Sequence, residues 1–496
     1  MYNIFSFLQD STRKHPDKVY VVDKEKEFTY LDIYYKSITL AGLMHESGVK
    51  NGDRILIYID NSAEYISAFF GALLVNCIVV PINKNLNIES INYIIKDTAP
   101  KILITNSIFM KRLQEGNVDI RESTVFNIDK PEENNKVHNY DLLERLTKDD
   151  ELPALILYTS GTTKMPKGVT LSHKNLTANT KSIIKYLGLT EKDSLLAIVN
   201  FSYSYGNSLM LTHTKAGGKI IIENRVAYPI KVIEQIYESK VTGFSTVGSY
   251  INILLKQEIL KDYHLKYLKY ITFAGESTRF EDIAKLKDIA PHIKIFVMYG
   301  QTEASARLSY LEPDLIFKKA GSIGKGIPGV TLRVVSDDGT DVSANEIGEI
   351  IASGENIMMG YWKNEAATKE VIKDGWLYTG DLAVIDEEGY IYVKGRKDDI
   401  IKHLGHRISP VEIESVINCC DKVLESAVVG FKNNHEMQIK AYVVLKNSLT
   451  GIEEINNHIK KLLPAFKRPQ TIEFVNELPR TANGKIKRSE LRRFYD

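Results

Sequence analysis

The sequence predicts an α/β protein with a large multi-subdomain N-terminal body, a β-rich subdomain, and a small mobile α+β domain at the C-terminal end. Three observations predict it. First, near-continuous Ile/Val/Leu runs alternate with helical patterns: RILIYI (54–59), CIVVPI (77–82), KILIT (101–105), ALILYT (154–159), KIIIE (219–223), YITFAG (270–275) and KIFVMYG (294–300). Strands apolar along their whole length are buried on both faces, as in a parallel sheet covered by helices. Second, after Gly321 the pattern shifts to short segments, VTLRVVSDDGTDV, GEIIASG and LAVIDEEGYIYVKGR, whose Asp-Gly and Glu-Gly turn signals predict hairpins. Third, beyond the polar stretch GRKDD (395–399), Ser409-Pro-Val-Glu412 has the form of a capping box with proline at the first helical position. Behind it Ile413, Val416, Ile417 and Cys420 recur at helical spacing, which assigns Cys420 to a core. The strands SAVVGF, AYVVL and TIEFV and a helix around IEEINNHIKKLL complete a small α+β unit. The expected division is a body over 1–394, a hinge over 395–399 and a small domain over 400–496.

Bulk properties narrow the functions. A chain of 496 residues, 44% hydrophobic and 26% charged, is ordinary globular protein with room for two to four domains. Lys plus Arg number 64 against 63 for Asp plus Glu, so no global field recruits nucleic acid or an anionic membrane. Anion binding must be local. Cys77, Cys419 and Cys420 fit neither a metal-ligand spacing nor a disulfide framework, and a reducing cytoplasmic location is expected. The N-terminus has no basic start with a sustained apolar core, so no signal peptide is expected. The segment ISAFFGALLVNCIVVPI (66–82) is slightly short for a membrane span and is split by Asn76; a buried helix running into a strand is expected instead.

The segment LYTSGTTKMPKG (157–168) follows an apolar run with four Ser/Thr hydroxyls, two glycines and two lysines. Such a loop offers backbone N–H groups, hydroxyl donors and a counter-charge, which together suit phosphate. It is not a Walker A loop, because Pro166 precedes Lys167 and Gly168 follows it. A plain polar surface turn rarely concentrates so many of these groups. Two other patterns mislead. GKGIPG (324–329) satisfies GxGxxG but contains Pro328 and leads into a strand, so it is no dinucleotide fingerprint. Asp193-Ser194-Leu195 looks like a carrier-protein serine but precedes the apolar run LLAIV, where a strand entrance is expected.

Further motifs follow in order: AGES (274–277), MYGQTEAS (298–305), GKGIPG, YTGD (378–381), GRKDDIIKHLGHRISPVEIE (395–414) and PRTANGKIKRSELR (479–492). With TSGTTKMPKG, this set resembles the adenylate-forming (AMP-dependent synthetase/ligase) superfamily of acyl-CoA synthetases, nonribosomal peptide adenylation domains and luciferases. The likeness runs from GDRILIYIDNSAEY to the last ten residues and is closest in look to small stand-alone acyl-CoA or acyl-carrier-protein ligases. It implies an AMP-forming acid–thiol ligase: acid plus ATP gives acyl-AMP and pyrophosphate, then a pantetheine thiol of coenzyme A or a carrier protein takes the acyl group.

The same resemblance implies the site. Thr159, Ser160, Gly161, Thr162, Thr163 and Lys167 would hold the ATP phosphates, and Thr302 the α-phosphate. Glu303 would bind Mg²⁺. Gly275, Glu276, Ser277, Tyr299 and Gly300 would border adenine, and Asp381 and Arg396 would take the ribose hydroxyls. Lys485 would bridge the carboxylate and the α-phosphate; on composition alone it belongs to a basic, solvated tail with Arg480, Lys487, Arg488, Arg492 and Arg493. Asp398 would be the hinge and Gly405 would line the thiol tunnel. Lys164 departs from the glycine or serine usual in the family, and either approaches the triphosphate or points into water. His403 and His406 form HxxH without further nearby ligands, so no metal is expected there.

The acid is less legible. The resemblance implies an acyl wall that includes Tyr203, Ser204 and Gly206 and also TVGSY (246–250). Amino-acid-activating relatives place an aspartate where Ser204 stands, and no acidic residue occurs between Asp193 and Glu223. A buried ammonium without a carboxylate is costly, which favours a small carboxylic acid without a free amine. A D-alanine-ligase-like enzyme and a non-turnover adenylate-binding protein are the alternatives. No nucleic-acid partner is expected, since the basic tail lacks aromatic interleaving.

Overall fold

A computed structural model describes residues 3–130, 146–159, 165–275, 279–404, 406–433, 436–446, 452–480 and 486–493. The chain forms two compact units, Met1–Leu332 with Ala352–Leu377, and Arg333–Ile351 with Tyr378–Asp496. The fold is α/β, as the alternating apolar runs predict.

Two sheets build the first unit. One orders its strands Lys325–Gly326, Ser309–Leu311, Lys294–Tyr299, Tyr270–Phe273, Gly243–Thr246, Ser194–Ala197, Lys219–Ile222, Val19–Asp23 and Lys26–Thr29. Pairing is parallel from Lys294–Tyr299 to Val19–Asp23 and antiparallel at the two edges. The other runs Gly360–Tyr361, Lys167–Ser172, Pro153–Thr159, Ile78–Pro81, Arg54–Tyr58, Ile102–Thr105 and Thr124–Asn127. It is parallel except where Lys167–Ser172 turns back on Pro153–Thr159 and takes Gly360–Tyr361 along its other side.

Every apolar run named above is a strand. Gly243–Thr246 escapes a sequence reading because GFST is short and half polar. Its Ser245 hydroxyl is buried and satisfied inside the sheet, Thr272 Oγ1 donating to Ser245 Oγ at 2.8 Å. The segment 66–82 is the expected buried helix and strand: Ala63–Leu74, N-capped by Ser62, then Asn76 at φ +55°, then Ile78–Pro81. Among the described residues no helix is long and apolar enough to cross a membrane. Ser194 opens a strand, and Asp193 beside it is held by Lys269 Nζ at 2.8 Å.

In the second unit, Asp381–Ile385 pairs antiparallel with Ile391–Arg396, the hairpin that the Glu-Gly signal predicts. Strands Val423–Asn433, Glu436–Leu445 and Thr471–Phe474 form a sheet with helices Pro410–Asn418 and Ile452–Leu462, enclosing Ile413, Ile417, Cys420, Ile439 and Ile455. Only half of the expected capping box forms. Ser409 Oγ accepts from the Glu412 N–H at 3.4 Å, while the Glu412 carboxylate pairs with Lys467 Nζ at 2.6 Å. A nearby lysine outcompetes the neutral Ser409 N–H for that carboxylate.

Two buried histidines lock the first unit into a neutral-imidazole pattern. His173 Nδ1 accepts the Ile4 N–H at 3.2 Å. His213 Nδ1 donates to the Leu209 carbonyl at 2.9 Å and Nε2 accepts from Tyr270 Oη at 3.2 Å. Burial lowers each from 6.5 to about 4. A depressed histidine pKa means that the unfolded chain binds more protons between those values, so stability is complete above 6.5 and falls as pH drops towards 4. Denaturant titrations should lose about 2 kcal/mol per histidine between pH 7.5 and pH 5; an unfolding free energy unchanged over that interval contradicts the assignment.

Candidate active site

The hydroxyl-rich loop joins the two strands of an antiparallel hairpin. Thr159 and Lys167 face each other across it, with Thr159 Oγ1 3.5 Å from the Lys167 carbonyl. Ser160, Gly161, Thr162, Thr163 and Lys164 lie outside the described residues. Lys167 Nζ stands 5.0 Å from the centroid of the Tyr361 ring, a cation–π distance. Tyr361 reaches that position because Gly360–Tyr361 pairs with Thr170 and Val169. Its hydroxyl donates to Glu303 Oε1 at 2.9 Å. A cation from the loop's exit, an aromatic ring and a carboxylate thus form one chain of contacts between sequence motifs more than a hundred residues apart.

Glu303 belongs to a tightly folded turn. Strand Lys294–Tyr299 ends at Gly300, the 3₁₀ turn Thr302–Ala304 follows, and the chain reverses so that the Leu308 N–H donates to the Tyr299 carbonyl at 2.9 Å. A Cβ on Gly300 would stand 1.9 Å from the Ala306 carbonyl oxygen, so only glycine permits the reversal. The segment 356–358 fastens the turn from outside. Ser305 Oγ donates to the Asn356 carbonyl at 2.7 Å, Asn356 Nδ2 to the Ala304 carbonyl at 3.1 Å, and the Met358 N–H to the Glu303 carbonyl at 2.9 Å.

Helix Ser204–Ala216 brings the expected acyl wall to this turn, Ser204 Oγ lying 3.2 Å from Thr302 Oγ1. Gly206 lets the helix start against its own approach, since a Cβ there would lie 2.1 Å from the Asn200 carbonyl oxygen. Burial raises the pKa of the Tyr203 phenol well above its usual value, which keeps it neutral. Tyr205 Oη is 2.9 Å from Thr272 Oγ1 in the neighbouring strand. Gly275 follows strand Tyr270–Phe273, while Glu276 and Ser277 lie outside the described residues. Tyr361, Asn356 and the fully buried Arg307 were not singled out from sequence. The signal for Arg307 was an arginine inside the apolar stretch ASARLSYL.

In the second unit Asp381 and Arg396 are cross-strand partners, Arg396 Nη1 donating to Asp381 Oδ1 at 3.1 Å and to the Thr379 carbonyl at 3.0 Å. Lys397 pairs with Glu349 and Asp337, each at 3.1 Å, and the hydrogen bond to Glu349 leads in raising its pKa. Asp398 is exposed in the 3₁₀ turn Lys397–Asp399. Asp399 beside it accepts from Arg492 Nη2 at 2.8 Å, and Arg488 Nη2 grips buried Glu414 at 2.6 Å. Lys485 and Gly405 lie outside the described residues; Arg480 and Ile486, on either side of Lys485, bridge antiparallel. His403 Nδ1 contacts the Met437 carbonyl and His406 stacks on Phe466 at 4.2 Å.

Gly300→Ala should force the Ala306 carbonyl away and destabilise the first unit by about 2 kcal/mol or more. Urea unfolding measures it, and a midpoint equal to that of the unaltered chain would show the turn to be freely adjustable.

Known proteins resemble the chain along nearly its whole length. The AMP-binding enzyme family matches residues 8–362, and the AMP-binding enzyme C-terminal domain matches residues 412–485. A 2–succinylbenzoate–CoA ligase of Bacillus cytotoxicus is 29% identical over 487 residues, covering 97% of this chain and 96% of that one. A long-chain-fatty-acid–CoA ligase of Bacillus subtilis is 28% identical over 527 aligned residues, covering 98% and 93%. The o-succinylbenzoate CoA synthetase of Bacillus subtilis, solved with its acyl-adenylate intermediate OSB-AMP, superposes with a TM-score of 0.87 at 25% identity, covering 98% and 97%; its complex with ATP and magnesium ion gives 0.86. With the matched family spanning most of its length and the motifs in order along it, the chain belongs to the AMP-binding enzymes, the adenylate-forming superfamily.

Proposed function

We propose that this protein is an ATP-dependent acid–CoA ligase that works through an acyl-adenylate. The observation that carries the reading is the contact chain Lys167–Tyr361–Glu303 beside the Ser204–Thr302 pair, which gathers a cation, a carboxylate and two hydroxyls at one turn. Activating an acid joins two anions, a carboxylate and the α-phosphate of ATP. The barrier falls when fixed donors and cations stand where negative charge grows.

In the first half-reaction a carboxylate oxygen attacks the α-phosphorus, the bond to the β-phosphate breaks, and pyrophosphate leaves. Lys167, with Thr159 and the loop 160–163, holds the departing phosphates. Thr302 donates to the α-phosphate, and Lys485 neutralises the two reacting oxyanions. Magnesium enters with ATP as part of the substrate. One carboxylate suits that ion, which keeps waters and phosphate oxygens as its other ligands. Glu303, held at one oxygen by Tyr361, supplies such a carboxylate. Gly275, Glu276, Ser277, Tyr299 and Gly300 border adenine, and Asp381 and Arg396 take the ribose hydroxyls.

In the second half-reaction a thiol sulfur attacks the acyl carbon, the bond to AMP breaks, and the thiol proton passes to solvent. Coenzyme A is the acceptor we favour over a carrier-protein arm, because both enzymes compared by sequence are CoA ligases. The hinge at Asp398 within 395–399 would let the segment after it, with Gly405, replace the Lys485 face between the two steps. Ser204 at the acyl wall touches a hydroxyl, which supports an acid without a free amine. A reducing cytoplasm fits the cysteine usage.

Lys485→Ala should slow acyl-AMP formation by roughly a hundred- to thousandfold and spare thioester formation from synthetic acyl-AMP; equal loss of both steps would remove the assigned role. Asp398→Pro should leave pyrophosphate release intact and cripple thioester formation in the presence of coenzyme A. An unimpaired second step would end the hinge proposal.

A further inference from the structure

Arg307 follows Ala306, whose carbonyl closes the Gly300 turn, and it is 1% exposed, one of the largest fully buried side chains among the described residues. A guanidinium carries five N–H donors and keeps its charge at any working pH. Its Nη1 donates to Tyr186 Oη at 2.5 Å, and its carbon lies 5.4 Å from the Tyr205 ring centroid. Nε and Nη2 are buried and have no acceptor, and among the described residues no carboxylate pairs with the group. These two nitrogens share one edge of the planar guanidinium, the edge whose parallel N–H bonds match the two oxygens of a carboxylate.

The main chain at Arg307 is fastened in place. Its backbone carbonyl is held by Asn179 Nδ2 at 2.9 Å and by Asn356 Nδ2 at 3.3 Å. Asn207 Nδ2, on helix Ser204–Ala216, is another buried donor with no partner. A phenol and an aromatic face compensate a buried cation only in part, and a full charge left without an anion is strongly unfavourable. Its location gives the missing anion a source. Tyr205, under the guanidinium, adjoins Ser204, whose hydroxyl meets that of Thr302.

We propose that Arg307 forms the anion-binding end of the acyl pocket and that the acid activated here is a dicarboxylic acid. One carboxylate reacts beside Thr302 while the other accepts from the Nε–Nη2 edge of Arg307. The inference rests on the ligase reading of the same site and names its substrate class. A cation at that end of the pocket also selects against substrates with a free ammonium.

The test measures pyrophosphate release, with ATP and Mg²⁺, for matched acids that differ only in a second carboxylate: butyrate against succinate, valerate against glutarate, and a 2-acylbenzoate with and without a terminal carboxylate. The best dicarboxylate should exceed its matched monoacid in kcat/KM by about a hundredfold or more. Arg307→Met, which removes the charge and keeps apolar bulk, should cut that ratio at least about thirtyfold, and Arg307→Lys should give an intermediate ratio because a point charge cannot make the fork. Melting curves establish that each variant is folded; if Arg307→Met does not fold, the ratios of the unaltered enzyme and Arg307→Lys decide. A monoacid used as well as its matched dicarboxylate, or an unchanged ratio in the variants, overturns this inference and leaves the ligase reading standing. Absence of pyrophosphate release with every acid overturns the ligase reading, and this inference with it.

Discussion

The contact of Lys167 with Tyr361, and of Tyr361 with Glu303, is the constraint on which the candidate site depends. Each of the three residues belongs to a different element: the start of a hairpin's second strand, a two-residue edge strand and a 3₁₀ turn. A loop proposed to hold phosphate needs its counter-charge held still relative to the carboxylate proposed for magnesium, since electrostatic stabilisation works through preorganised groups. A tyrosine serves that purpose because it offers a π face to the ammonium and a hydroxyl to the carboxylate at once.

The two sheets explain why these residues meet. Parallel strands buried on both faces carry their polar residues at the strand ends, where backbone pairing stops and loops begin. Thr159, Tyr299 and Gly275 all lie at or just past C-terminal strand ends, where ligands collect in open α/β sheets. The antiparallel return at Lys167–Ser172 then sets Lys167 opposite Thr159, and that at Ser309–Leu311 brings the chain back beside Tyr299. Gly300 and Gly206 are local conditions of this arrangement, each admitting a carbonyl oxygen where a methyl group would stand.

Much of this is legible in the sequence. The apolar runs named their strands, Asp193 proved to be a strand entrance, and Cys420 proved to be core. Ser204 and Thr302, assigned to the acyl wall and the α-phosphate from separate motifs, lie in hydrogen-bonding distance. Illegible were the groups whose meaning comes from what surrounds them. GFST has no apolar run, and its strand exists because neighbouring strands satisfy Ser245 and enclose Phe244. Glu412 has the right residue type and spacing for a capping box, yet Lys467, 55 residues away, claims its carboxylate. Arg307 is one arginine among many in the sequence, and only burial turns its charge into a requirement for an anion.

The sequence by itself determined the class of fold and the order of the chemical motifs, because apolar periodicity and residue chemistry are local properties, and the family resemblance those motifs carry implied the kind of reaction. Tertiary structure alone decided which motifs touch, that Tyr361 links Lys167 to Glu303, and that a guanidinium edge beside the acyl wall has no acceptor. Those facts depend on distance and on exclusion from water, which a one-dimensional string does not carry. An arginine in solvent and an arginine buried behind Tyr205 are the same letter, and the difference between them is the free energy of hydration.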